Sequence, residues 1–128
     1  MSRAKGSRRP CDGQQARQRL VDARQFLEAA KLLDAPDVVA TNAIHAAIAA
    51  ADAITCHALG ERSNDGNHAS AAELLRKVDA GLATALQRAL DRKTQAGYES
   101  TDISALDSAS CVRWAEQLLI GAEARLHG

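Results

Sequence analysis

Along "DGQQARQRLVDARQFLEAAKLLDAPD" the apolar residues Ala16, Leu20, Ala23, Leu27 and Ala30 fall at alternating spacings of four and three, which is one stripe along one helix. Asp12 stands where a helix cap belongs. "LDAPD" at 33–37 breaks the periodicity, because Pro36 disfavours helical geometry at Ala35 and suits the first turn of a new helix. The next stretch, "DVVATNAIHAAIAAADAITCHALG", is apolar nearly all round, with Ile44, Ile48, Ile54 and Leu59 among alanines, and it predicts a central helix covered on several sides. Gly60 suits its C-terminal cap. Asn42, His45 and Asp52 share the polar stripe of this helix, a stripe that suits a partner or a solvent groove.

A third helical stretch is predicted from Asn67 or Ser70, with Ser70 and Glu73 spaced as a capping box. Leu75, Val78, Leu82, Leu86 and Leu90 carry its stripe, Gly81 marks a bend and Gly97 stops it. After "YESTDISALDS", in which Ser104 and Asp107 are the best-spaced cap, a last helix turns Cys111, Ala115, Leu118, Ala122 and Leu126 inward with Trp114 beside them. Strand-like alternation is absent from the pattern. The predicted fold is all-α, an antiparallel up-and-down bundle of four to five helices over 13–128, preceded by a disordered basic tail over 1–12.

Composition sharpens this in three ways. The 128 residues suffice for one core, and with only Phe26, Tyr98 and Trp114 as aromatics that core is filled by Ala, Leu, Ile and Val. Sixteen basic residues balance sixteen acidic ones, so no global field draws nucleic acid, and the one basic cluster, "MSRAKGSRRP", reads as a solubilising tail. No stretch is read as a membrane span and no signal-peptide segment follows the basic start. Cys11, Cys56 and Cys111 are widely spaced and odd in number, which does not describe a disulfide framework. Cys56 and Cys111 read as small buried hydrophobes, and the expected setting is cytoplasmic.

The candidate chemistry centres on "GERSNDGNHAS" at 60–70. A metal-independent ribonuclease needs a base for the 2′-hydroxyl proton and a cation for the phosphate, and His68 and Arg62 have those types. The same segment is rich in turn formers, Asn64-Asp65-Gly66 above all, and as a plain polar turn it places His68, solvated, in a helical first turn. Cys56 and His57 are adjacent on a helix, so their side chains diverge by about 100° and do not share a metal. His45 and His57 have no carboxylate or cysteine at helical spacing, and no metal or cofactor site is expected.

The arrangement "ATNAIHAAIAAADAITCHALGERSNDGNHASAAELL" followed by "LQRALDRKTQAGYESTDISALDSASCVRWAEQLLIGAEARL" resembles the HEPN superfamily of small four- or five-helix bundles found in prokaryotic toxin–antitoxin and defence modules. The resemblance implies a symmetric homodimer with a cleft between subunits, in which catalytic members carry an arginine, four to six residues, then a histidine. Arg62 and His68 fit that spacing. The family's place for the motif lies later, on "RKTQAGY", where Arg92 is followed by Tyr98, and a tyrosine with a pKa near 10 is a poor base at pH 7. In the subgroup that "GNH" and "AGY" resemble, His68 and Tyr98 meet near one end of the bundle with Arg62 or Arg92 beside them. That subgroup is non-catalytic or uncharacterised, with some members paired with nucleotidyltransferases. The implied function is a dimeric module binding a nucleotide, RNA or protein partner, with Arg92, Tyr98, Asn42 and His45 as ligand contacts. An endoribonuclease using Arg62 and His68 is the first alternative, and a regulatory helical module without ligand is the second.

Overall fold

A computed structural model of the chain describes residues 8–64, 68–98 and 103–126, with the backbone alone over 93–98. Among the described residues there are five helices, α1 (Gly13–Leu32), α2 (Pro36–Leu59), α3 (His68–Arg76), α4 (Ala80–Tyr98) and α5 (Ala105–Leu126), and two short strands, β1 (Arg8–Pro10) and β2 (Glu61–Ser63). The class is all-α, as the periodicity predicts.

Local chemistry sets most helix ends. Asp12 Oδ1 accepts the Gln15 amide at 2.8 Å while Gln15 Oε1 accepts the Asp12 amide at 2.9 Å, a reciprocal cap that begins α1. Pro36 opens α2. Gly60 closes it in the left-handed region at φ 72°, donating its amide to the Cys56 carbonyl at 3.0 Å. Ser104 Oγ caps α5 by accepting the Asp107 amide at 3.0 Å.

The third predicted helix is two. The Lys77, Val78 and Asp79 amides fold back onto the Leu74 and Leu75 carbonyls, and Asp79 Oδ1 then accepts the Leu82 amide at 3.0 Å to start α4. The break comes before Gly81 because Asp79 is a good N-cap, and the leucine stripe continues across it. α3 begins at His68, so Ser70 lies within its first turn and does not open it.

α2 is the centre, packed by α1, α3, α4 and α5. Every residue from Ala49 to Cys56 is buried, and alanines at Ala43, Ala47, Ala50 and Ala53 are fully enclosed. Small side chains let neighbouring helices approach closely, while Ile54, Leu75, Leu86 and Leu118 supply the large apolar area. The chain's own helices cover most of α2, while Val38 and Leu59 near its ends stay exposed. α2 is long and apolar enough to cross a membrane, which the reading of the sequence did not expect of any stretch, but 67% of its apolar window is buried inside the bundle, as for a core helix.

Two further expectations fail at the N-terminus. Residues 8–12 are ordered: β1 pairs antiparallel with β2, Arg8 opposite Ser63, Arg9 opposite Arg62 and Pro10 opposite Glu61. The Cys11 amide continues that pairing to the Gly60 carbonyl at 2.9 Å. Residues 1–7 of the predicted tail lie outside the described residues. Cys11 and Cys56 form a disulfide, which removes the cysteine count as support for a cytoplasmic setting. Cys111 is the buried hydrophobe expected of it.

Truncating Leu118 or Leu86 to alanine should lower unfolding free energy by about 2–5 kcal/mol in denaturant titrations, whereas Leu32→Ala at an 83% exposed position should stay within about 0.5 kcal/mol. Asp79→Ala should cost about 1 kcal/mol through the lost cap. The Leu82 amide and the Arg125 side chain hold the Asp79 carboxyl below its ordinary 3.8. Its contribution is therefore complete above pH 3.8 and lost as pH falls through the depressed value, so acid titration of stability should be shallower in the variant.

Candidate functional site

α1 and α2 form an antiparallel hairpin about the turn at Leu33–Ala35, which sets Phe26 against His45 with ring centroids 5.2 Å apart and Arg19 against Asp52. Asp52 is 3% exposed in the middle of the alanine helix. Arg19 Nε and Nη2 donate to its Oδ2 at 3.3 and 3.2 Å, and Arg62 Nη1, arriving from β2, donates to the same oxygen at 3.4 Å. Arg19 Nη1 also reaches Asp22 at 3.0 Å. Burial pushes the Asp52 carboxyl up, and the two guanidiniums oppose that shift.

Beside this cluster opens a cavity of about 200 Å³ lined by Arg19, His45, Ile48, Asp52, Ser63, Asn64 and His68. Of the residues singled out from the sequence, His45 and His68 face this space, and Arg62 abuts it through Asp52. Asn42 is not in its lining, and its side-chain amide donates to the Val38 carbonyl one turn back at 3.0 Å. Arg62 is tied inside the fold by a carboxylate, with its side chain 14% exposed, and that carboxylate competes with any phosphate for its donors.

Arg92 belongs elsewhere. The Ile103 amide donates to Asp37 Oδ1 at 2.9 Å, so the chain after α4 returns to the first turn of α2, and Arg92 pairs with Asp107 on α5 at 3.4 Å. Fifteen residues separate Asp37 from Asp52 along α2, about 22 Å of helix rise. Arg92 therefore lies toward the other end of α2 from Arg62, and the expected meeting of His68 with Tyr98 falls on a side chain outside the described residues. α4 runs away from the cavity because the break at Asp79 starts it at the far end of α5, where Arg125 meets Asp79 at 3.1 Å. Arg92 lies instead over the Trp114 ring, 5.6 Å from its centroid. Of Tyr98 the backbone alone is described.

Arg19, Ser63 and Asn64 are site residues that the sequence reading did not single out. For Arg19 a signal existed, since Arg19 and Asp52 lie at similar distances from the turn of the predicted hairpin. Among the described residues no three potential metal ligands gather. No family model, curated protein or solved structure matches the chain.

Replacing Asp52 by alanine leaves two guanidiniums facing each other without their carboxylate. The loss should be about 3–5 kcal/mol, measured by chemical denaturation. Arg19→Ala should cost less, because Arg62 still partners the buried charge.

Proposed function

We propose that the chain is a non-catalytic HEPN-like helical module whose cavity beside β2 takes a phosphate group of a nucleotide or RNA. One observation carries this reading. His45, Asn64 and His68, donor-capable residues, line one space whose single carboxylate, Asp52, already engages the Arg19 and Arg62 guanidiniums beside it. The size limits the ligand: about 200 Å³ is smaller than the roughly 300–1,000 Å³ of sites that enclose drug-sized molecules, so a phosphate fits and its base stays outside. Arginine and neutral or protonated imidazole both donate to phosphate oxygens.

The non-catalytic reading rests on Arg62. Transition-state stabilisation requires a cation aimed at the charge that develops, and this guanidinium already donates to Asp52 inside the fold. A homodimer and a nucleotidyltransferase partner in a toxin–antitoxin or defence setting belong to the same proposal and rest on the family resemblance.

Calorimetric titration with a nucleoside monophosphate and with a short RNA tests the reading. Binding is expected, weakened about tenfold in His68→Ala, a loss of about 1.4 kcal/mol. The RNA should emerge intact from metal-free incubation. Cleavage leaving a cyclic phosphate, abolished in His68→Ala with the helical spectrum retained, would instead establish the endoribonuclease with His68 as base. Absence of binding by either ligand rejects the cavity as a phosphate site.

A further inference from the structure

The Cys11–Cys56 disulfide joins the segment that leads into α1 to the last turn of α2. Its position gives it leverage. Cys11 directly follows β1, its amide is bonded to Gly60, and β1 is the strand that lies against β2. β2 in turn carries Arg62, which holds Asp52, and Ser63, which lines the cavity. β1 and β2 make a two-stranded ribbon of three residues each, and such a ribbon is marginal without an additional tie. Beyond the paired strands and the surface Arg8–Glu61 ion pair at 3.6 Å, the tie is a covalent bond between half-buried Cys11 and buried Cys56, 3% exposed.

We propose that Cys11–Cys56 is a reversible thiol–disulfide site that latches β1 onto β2 and so holds the wall of the cavity, and that a dithiol reductant opens it. A thiolate of the dithiol attacks Cys11 Sγ, the more accessible sulfur. The S–S bond breaks, and its electron pair leaves on Cys56 Sγ, which takes up a proton. The second thiol of the reductant then displaces Cys11 as a thiol. The protein disulfide is reduced to two thiols while the dithiol is oxidised to its cyclic disulfide. Cys111 takes no part: it is fully buried, and burial, with Asp107 nearby, pushes its thiol up to about 11, so it stays protonated and unreactive. The bundle does not depend on the latch, because α1 keeps its cap at Asp12 and its buried stripe against α2.

The test uses the full chain, oxidised and after treatment with dithiothreitol, together with Cys11→Ser, whose side chain is small enough to leave α1 undisturbed. Thiol titration of the folded protein should find none reactive before reduction and two after it. Amide exchange at Cys11 and over residues 61–63 should speed up at least tenfold in both the reduced protein and Cys11→Ser. Amides of Ala16 to Ala30 and the helical circular dichroism should stay unchanged, while the His68 ring resonances shift. None of these readouts requires a ligand, so they stand or fall apart from the phosphate reading. Exchange at 61–63 unchanged by reduction, a disulfide that resists the dithiol in the folded state, or loss of α1 protection together with the strands would each overturn the proposal.

Discussion

The enclosure of α2 is the constraint on which the rest depends. A helix made mostly of alanine gains little area per residue, so it is stable only where several helices press against it at once. That requirement places α1 antiparallel beside it and wraps α3, α4 and α5 around the remaining faces. It also sets the cost of Asp52, which cannot reach bulk water from such a position and must be met by cations brought from elsewhere. Arg19 comes from the neighbouring helix and Arg62 from the strand after it. The polar site is thus a by-product of burying an apolar helix that carries one charge, Asp52, in its enclosed part.

Much of the fold was legible because it is written in short-range chemistry. Asp12 with Gln15, Pro36, Gly60 and Ser104 each mark a boundary that the structure keeps. One failure is local, and the others come from pairing between residues distant in sequence. The stripe through Leu75, Val78 and Leu82 continues across Asp79, so periodicity alone could not separate α3 from α4. β1 lacks alternation, being three residues of Arg-Arg-Pro, and exists because Cys11 and Gly60 fix its neighbour.

The site was half legible. His45, Asp52, Arg62 and His68 are all named by residue type and local pattern, and the return of the chain after Gly60 through β2 into α3 brings them to one place. Arg92 parts from them because the Asp37–Ile103 hydrogen bond and the Arg92–Asp107 pair hold that part of the chain at the other end of α2. The disulfide was missed through parity: three cysteines suggest none paired, although a helical hairpin with its turn near Leu33 carries Cys11 and Cys56 to the same level.

The placement of α5 dictates an order of assembly. α1 and α2 adjoin in sequence and meet through a three-residue turn, so their contacts close short loops. The ion pairs that seat α5 on α1, Arg24 with Glu123 and Lys31 with Glu116, close far longer ones, with 99 positions between the members of the first. During synthesis on a ribosome, the central helix therefore waits with one flank bare until the chain has emerged as far as Leu126, and α5 is the helix that seals it.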